Sequence, residues 1–245
     1  MSPEQSQSEA DLLSIPPETK TASPSPTDSD PLTEDLALAL LKRMDLPTHD
    51  VEKLAKSSAL LKSRKVRLAL ASHPRTPRRI ALRLIRELYT FDLMHFSQTP
   101  ATAADLKRAA DELLIARLTS VSLGERISLA RRCSTLVAAA LLHDKEARVW
   151  QTAMENPRLT EGAVVKALQK AGATPAFVEG VCRHAKWSLR PEIRLALLRN
   201  PHTPLARAID FARLLPPAQL RDVLHASRLP EKIKQYLRKE LKTRN

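Results

Sequence analysis

Aromatic residues and glycine are scarce in this chain of 245 residues, which is 3% aromatic and contains 4 glycines. With so few large rings, a folded core has to be filled by alanine and leucine, and the chain is long enough to bury a substantial one. The chain also lacks Asn-Gly hairpin signals and alternating runs of valine or isoleucine, which are typical of β-sheets. The composition therefore favours an all-α fold.

Cysteine and long apolar segments are scarce as well. Cys133 and Cys182 fall in predicted helices and form no CxxC motif, so we expect two reduced, small apolar residues in a cytoplasmic protein. The longest apolar run, residues 136–142, is far shorter than the roughly 20 residues that span a bilayer. The first residues lack the basic patch and apolar stretch of a signal peptide. We therefore expect no association with a membrane.

The usual sequence motifs of catalysis are missing. The chain has no HExxH, no GxSxG and no glycine-rich loop that would cradle a phosphate group. His143, Asp144 and Glu146 are residue types that bind metals, but neighbours along one loop rarely converge on a single ion. The sequence therefore predicts a protein that is not an enzyme and that uses neither metal nor cofactor.

Charge is abundant and unevenly distributed. The whole chain carries a net charge of +13, whereas its first 35 residues hold eight acidic side chains and one lysine. Residues 36–245 therefore carry a net charge of +20. A body this basic attracts acidic proteins and phosphate groups.

The N-terminal segment, residues 1–31, is rich in serine, proline, threonine and acids. It has too little apolar surface to offset the entropy lost on ordering, so we expect a disordered acidic tail. A single basic helical-repeat domain is expected over residues 32–245. Two roles for the tail stay open: it keeps the protein in solution, or it competes with an acidic ligand for the basic body.

A two-helix segment recurs three times in the basic body, at residues 65–88, 148–169 and 192–215. In every copy a β-branched residue (Val66, Val149 or Ile193) lies eight positions before a proline. Apolar or small residues three and four positions further on complete one face of a short helix. The prolines are 83 and 44 residues apart, so the copies do not form a continuous array of short period.

Each copy contains a turn and a predicted restart. The residues before the prolines are expected to end the first helix, asparagine in particular because it tolerates a left-handed conformation; they are His73, Asn156 and Asn200. A threonine hydroxyl is then predicted to cap the second helix, at Thr76, Thr160 and Thr203. One such unit cannot bury its apolar stripe alone and has to stack on neighbours.

The N-P-x-T-P of residues 200–204 and the H-P-x-T-P of residues 73–77 resemble the leucine-rich repeat variant family and, more loosely, HEAT-like helical repeats. The chain is also similar to bacterial helical-repeat proteins that are otherwise uncharacterised. The resemblance implies a right-handed α-solenoid of irregular short helices, usually a binding or scaffold element. It implies no catalytic activity.

Local signals mark other helix starts. Thr33 and the Ser122–Glu125 pair are predicted caps, as is Thr102 with Asp105 three positions later. Asp92 and His95 are interpreted as surface residues, and the aromatic cluster around them as core filling. In the last helix, Tyr236 is expected to point inward.

Arginines gather on one face of the helix predicted after Thr76, opposite its apolar residues. This face is either ordinary solvated surface or a row of contacts to carboxylates or phosphates, which guanidinium groups bind in bidentate fashion. The candidate anion contacts are Arg75, Arg79, Arg83 and Arg86 from this helix, with Arg131 and Arg132 further along the chain.

Two functions fit these observations. The first is a non-enzymatic scaffold whose helical-repeat surface recognises an acidic partner protein. The alternative is a protein that binds the backbone of duplex nucleic acid. A distant third is suggested by likeness in size, basicity and helix content to HEAT-like DNA glycosylases. That family has an adjacent tryptophan pair followed by an aspartate, whereas Trp150 and Trp187 are far apart.

Overall fold

Helices form all the regular secondary structure of the described residues, 33–243, in the computed structural model of this protein. No strand occurs in that range, so the prediction of an all-α fold class is confirmed. The described residues belong to one contact unit, Thr33–Asn245. The tail predicted over residues 1–31, with both of its suggested roles, lies outside the described residues.

The described residues form sixteen helices, most of them short. The first eight are α1 Glu34–Leu41, α2 Thr48–Lys56, α3 Ser58–Leu61, α4 Arg64–Ser72, α5 Arg78–Glu87, α6 Thr90–Gln98, α7 Ala104–Arg117 and α8 Leu123–Arg132. The others are α9 Thr135–Leu141, α10 Ala147–Met154, α11 Glu161–Gln169, α12 Pro175–Arg183, α13 Pro191–Arg199, α14 Leu205–Arg213, α15 Pro217–Ala226 and α16 Glu231–Thr243. Isolated helices shorter than about 12 residues are marginal in water, so packing must stabilise these.

Packing follows the order of the helices along the chain. One row consists of α5, α7, α9, α11, α13 and α15, each packed on the next. A second row has three sections, α4 with α6, α8 with α10 and α12, and α14 with α16. These contacts, and those between the rows, join helices at most three places apart in the chain. The fold of the described residues therefore depends on local packing.

Neighbouring helices of a row have their carboxyl ends on the same side. In the first row, Arg117 at the end of α7 donates hydrogen bonds of 2.6 Å to the Arg86 and Leu88 carbonyls at the end of α5. Further along that row, the Arg228 N–H after α15 donates to the last carbonyl of α13 at 3.1 Å. These bonds satisfy carbonyls that a helix end leaves without a partner.

The buried apolar residues form two clusters. One runs from α1 to α7 and the other from α6 to α16. They meet within α6 and α7, where Leu93 belongs to the first cluster and Met94 to the second. Leucine, alanine and valine fill most of the volume, and Trp187, Phe96 and Phe177 are the largest fully buried side chains.

The three sequence copies occupy matching environments. Their first helices are α4, α10 and α13, and Val66, Val149 and Ile193 are each 0% exposed. The third copy is nevertheless shifted by one helix, because α12 intervenes and α13 packs on α11, the second helix of the preceding copy. The first helix of a copy therefore lies in the second row for the first two copies, and in the first row for the third copy.

Of the residues before the copy prolines, His73 and Asn200 do not adopt the expected left-handed conformation. His73 (φ −70°, ψ 131°) and Asn200 (φ −88°, ψ 132°) are extended, so the conformational explanation for asparagine is wrong. Their side chains reach back instead to a carbonyl near the end of an earlier helix. The Nδ2 atoms of Asn156 and Asn200 donate to the Ala130 and Leu168 carbonyls at 2.8 and 2.7 Å.

The threonine caps are correct for one copy only. Thr160 accepts the Ala163 N–H at 3.4 Å and caps α11 as predicted. Thr76 and Thr203 instead donate hydrogen bonds of 2.6 Å to a carbonyl in the first helix of their own copy. Both threonines therefore bond to the helix that precedes the turn. The N-cap position of the helix that follows the turn is occupied by a proline, Pro77 or Pro204.

Candidate functional surface

The arginine row on α5 is exposed, as the sequence predicts. Arg79, Arg83 and Arg86 are exposed at spacings of four and three residues, while Ala81, Leu84 and Ile85 on the opposite face are 0% exposed. The apolar side of α5 packs on α4 and α7. Burial of that side leaves the guanidinium groups facing away from the helix row.

Two of the α5 candidates are already engaged within the protein. Arg83 donates to the Ala55 carbonyl at 3.1 Å. Arg75 precedes α5 and lies near Asp45; the hydrogen bond from Arg43 lowers the pKa of that carboxyl, and the charge of Arg75 adds to the effect. By contrast, the side chains of Arg79 and Arg86 make no ion pair with the described residues.

The remaining candidates, Arg131 and Arg132, are exposed in the last turn of α8. Positive charge at this end of a helix is favourable with respect to the helix dipole. Because α8 packs on α9 and α10, whereas α5 packs on α4 and α7, the six candidate arginines do not form one cluster.

Sequence reasoning missed a groove between α9 and α11. It has a volume of about 640 Å³ and opens to solvent. The lining is largely small or apolar, with two lysines and a histidine, and consists of Ile115, Thr135, Leu136, Ala139, Ala140, His143, Thr160, Gly162, Ala163, Lys166, Ala167 and Lys170. Leu136, 44% exposed, is a large apolar side chain of this lining that a ligand could reach.

The groove is cationic. Lys166 on α11 and Lys170 directly after its carboxyl end are exposed and make no ion pair with any described residue. Burial lowers the pKa of His143, and the charge of Lys170 lowers it further. The imidazole is therefore neutral at pH 7, and the two lysines supply the positive charge. The groove lining includes no acidic side chain.

Lys170 also lines a second cavity, of about 330 Å³, where the carboxyl ends of α11, α13 and α15 meet. Arg199, His202 and Arg228 are the other basic residues of that lining. Cations at helix carboxyl ends complement the helix dipoles. A basic rim thus continues from the groove across three helices of the first row.

The aromatic cluster on α6 is mostly core, with one exception. Phe96 is 0% exposed, but Tyr89 is 59% exposed, and the guanidinium carbons of Arg64 and Arg67 lie 5.5 and 5.8 Å from the centroid of its ring. The interpretation of Asp92 as a surface residue is wrong: it is 4% exposed and accepts two hydrogen bonds from Arg64, at 2.6 and 2.8 Å.

The side chains with reactive chemistry are buried. Cys133 and Cys182 are free thiols inside the core, and burial raises the pKa of Cys133 to about 12 and that of Cys182 to about 11. Both thiols are therefore protonated at pH 7 and poor nucleophiles. Residues 33–243 hold no cluster of three or more His, Cys, Asp or Glu side chains that could bind a metal ion.

No helix within residues 33–243 has the length and hydrophobicity needed to cross a membrane. Trp150 and Trp187, compared above with the glycosylases, are 5% and 1% exposed. The Trp187 indole N–H donates to the Met154 carbonyl at 2.9 Å. Both rings are therefore part of the core and cannot line an open binding groove.

These features describe a cationic, helical surface with an apolar groove. Comparison of the chain with protein-family models, with curated proteins and with solved structures finds no match.

Proposed function

We propose that this protein is a non-enzymatic binding scaffold whose cationic helical surface recognises an acidic partner protein in the cytoplasm. The observation that carries the proposal is the arginine row on α5, since Arg79 and Arg86 are exposed and make no ion pair with the described residues. Guanidinium groups that face solvent without a carboxylate are free to bind carboxylates of a partner.

The proposed scaffold is a right-handed α-solenoid, as the resemblance to leucine-rich repeat variants and HEAT-like repeats implies. Support comes from the two rows of helices with local contacts and from carboxyl ends that lie on the same side. Such rows present side chains from successive helices on one extended surface, which suits a protein partner better than a small molecule.

Two labelled probes of similar length test this function: poly-L-glutamate and random-sequence duplex DNA, each titrated with the full chain at about 50 and 200 mM salt. We expect poly-L-glutamate to bind at low salt and DNA to bind more weakly. Arg79→Glu combined with Arg86→Glu should weaken poly-L-glutamate binding about tenfold, because two contacts of the row become repulsive.

The matched control is Lys232→Glu combined with Lys239→Glu on α16, two exposed residues with the same spacing of seven, whose reversal changes the net charge equally. This control should weaken binding much less, because it leaves the α5 row intact. Equal effects of the two double variants would mean attraction by net charge alone and would overturn the proposal. So would a lack of binding to poly-L-glutamate at low salt.

The runner-up, recognition of a duplex backbone, is favoured by the spacing of the row. Arg79 and Arg86 are seven residues apart, or about 10 Å along the helix, so they could contact two separate phosphates of a duplex backbone. Tighter binding of DNA than of poly-L-glutamate at both salt concentrations, weakened selectively by the α5 variant, would replace the scaffold proposal with this one.

A further inference from the structure

The groove between α9 and α11 combines an apolar floor, a cationic edge and free access from solvent. We propose that it docks an acidic amphipathic helix of the partner protein, with apolar residues of that helix on the groove floor and carboxylates on the lysines. This inference rests on the proposed scaffold function and names the kind of segment that the scaffold recognises.

The dimensions of the groove fit a helix. Its lining includes Thr135 and Thr160 at the amino ends of α9 and α11, and His143 and Lys170 beyond their carboxyl ends. The groove therefore runs along both helices, which have 7 and 9 residues, a length of about 10 to 14 Å. That length accommodates about two turns of a third helix.

The floor allows close approach of a partner. Ala139, Ala140 and Ala163 have short side chains, and a Cβ atom added to Gly162 would meet no atom within 4 Å. Leu136 is 44% exposed at one side. Amphipathic helices bind such grooves through apolar residues at positions i, i+3, i+4 and i+7.

The edge selects for acidic residues. Lys166, on the exposed side of α11, and Lys170, the extended residue directly after that helix, make no ion pair with any described residue, so carboxylates on successive turns of a docked helix would be attracted to both. The basic rim continues past Lys170 to Arg199 and Arg228. Positive charge beyond the groove favours an extended acidic segment over a small anion.

The open shape argues against a small molecule as occupant. Ligand pockets usually enclose about 70% or more of the ligand surface, whereas this groove is open to solvent. A fatty acid, which also combines an apolar part with a carboxylate, would leave much of its chain in water. Binding of a fatty acid in place of the peptide is therefore an outcome of the test that would overturn the proposal.

The probe is a fluorescein-labelled synthetic peptide of about 18 residues, enough for about five helical turns, with leucine at i, i+3, i+4 and i+7 and glutamate on the flanking positions. A peptide of the same composition in scrambled order and a long-chain fatty acid serve as comparison ligands. Fluorescence anisotropy with the full chain should show binding of the amphipathic peptide and weaker binding of the scrambled peptide, because only the former aligns its leucines.

Two groove variants, each with a matched control, test whether the peptide binds in the groove between α9 and α11. Gly162→Leu fills the groove and should weaken peptide binding about tenfold. Gly124→Leu is its control, because Gly124 is also the second residue of a helix, α8, with no atom within 4 Å of an added Cβ. Lys166→Glu with Lys170→Glu should weaken binding chiefly at low salt, and Lys53→Glu with Lys56→Glu should not.

Circular dichroism and thermal melting of each variant check that the fold is retained; at both glycine positions an added Cβ atom has no neighbour within 4 Å. Failure of the amphipathic peptide to bind, or equal losses in groove and control variants, would overturn the docking proposal. The scaffold function is tested separately: poly-L-glutamate binding that still depends on Arg79 and Arg86 would leave it standing while the groove proposal fails.

Discussion

Asn156 and Asn200 show how a single side chain joins two helices of a row. Besides the backward hydrogen bond from Nδ2, each Oδ1 accepts a backbone N–H two residues later, at 2.8 and 2.9 Å. His73 makes the same pair of contacts, Nε2 to the Arg43 carbonyl at 3.0 Å and Nδ1 to the Arg75 N–H at 3.2 Å. Each of these side chains therefore stabilises the turn through one hydrogen bond and holds an earlier helix in place through the other.

Replacement of Asn156 by alanine should be costly, because Asn156 is 0% exposed and its Nδ2 bonds to two carbonyls, those of Ala130 and Cys133. Carbonyls left unsatisfied in the core cost about 1–3 kcal/mol. We expect Asn156→Ala to lower the free energy of unfolding by about 2 kcal/mol in urea denaturation. Gln151→Ala, at an exposed position of α10, is the control. Equal and small decreases in the free energy of unfolding for both variants would show that the Asn156 hydrogen bonds do not stabilise the fold.

Asp111 is the second residue with a measurable consequence. It lies on α7 where the two apolar clusters meet, is 7% exposed, and its Oδ1 has no hydrogen-bond partner among the described residues. Burial raises the pKa of this carboxyl, although hydrogen bonds with Ser134 and Ser97 act in the opposite direction. The ionised form is therefore less stable in the folded protein than in the unfolded chain.

The raised pKa of Asp111 makes stability fall as pH rises. An unfolded aspartate ionises near pH ~3.9, so the folded protein binds the extra proton above that pH, until its own higher pKa is passed. Asp111→Asn removes this loss, and its unfolding free energy should exceed that of the wild type increasingly from about pH 4 towards neutral pH. Exposed Asp222→Asn is the control; a stabilisation by Asp111→Asn that does not change with pH would contradict this explanation.

At the scale of helices, local signals in the sequence located many of the elements. Thr33 accepts the Leu36 N–H, Ser122 and Glu125 form a complete capping box, and Thr160 caps α11. A cap involves only residues within one turn and can therefore be recognised from the sequence, but Thr76 and Thr203 show that the same residue type can bond to the preceding helix instead.

Features that depend on contacts between helices could not be predicted. Thr102 does not cap α7, which begins after Ala103, and Tyr236 is 56% exposed rather than inward. The choice between a solvent-facing and an inward side chain depends on the neighbouring helix, which periodicity alone does not identify. The groove was missed for the same reason, because Leu136 lies outside the three copies, Lys166 lies within the second, and the two residues line one groove only after α9 and α11 pack.

Gly180 on α12 shows how closely two helices of the second row approach. A Cβ atom at this position would lie 2.6 and 2.7 Å from two ring carbons of Trp150 on α10, which is itself 5% exposed. In an exposed helix, alanine would be more stable than glycine by about 1 kcal/mol. Here the clash should outweigh that gain.

We therefore expect Gly180→Ala to lower the free energy of unfolding by about 1–2 kcal/mol, as overpacking of a filled core does. Gly162→Ala, at a helix position with open space around it, should be neutral or slightly stabilising. Chemical denaturation of the two variants side by side measures the difference. A stabilised Gly180→Ala variant would show that α10 and α12 do not approach this closely.

At the scale of the whole protein, local packing and surface charge are connected. The described helices bury their apolar faces against neighbours at most three places away in the chain, which leaves the opposite faces of successive helices in solvent. With a net charge of +20 on residues 36–245, those faces are largely cationic. The fold class and the charge followed from composition, whereas the groove required the packed helices.

Hydrogen–deuterium exchange of the full chain, with and without the acidic amphipathic peptide, tests the central claim of a scaffold for acidic partners most directly. We predict slower exchange in α9 and α11, smaller effects in α5, and none in α2. Duplex DNA at the same concentration should give less protection of these helices. Protection confined to other helices, or stronger protection of α9 and α11 by DNA than by the peptide, would contradict the account.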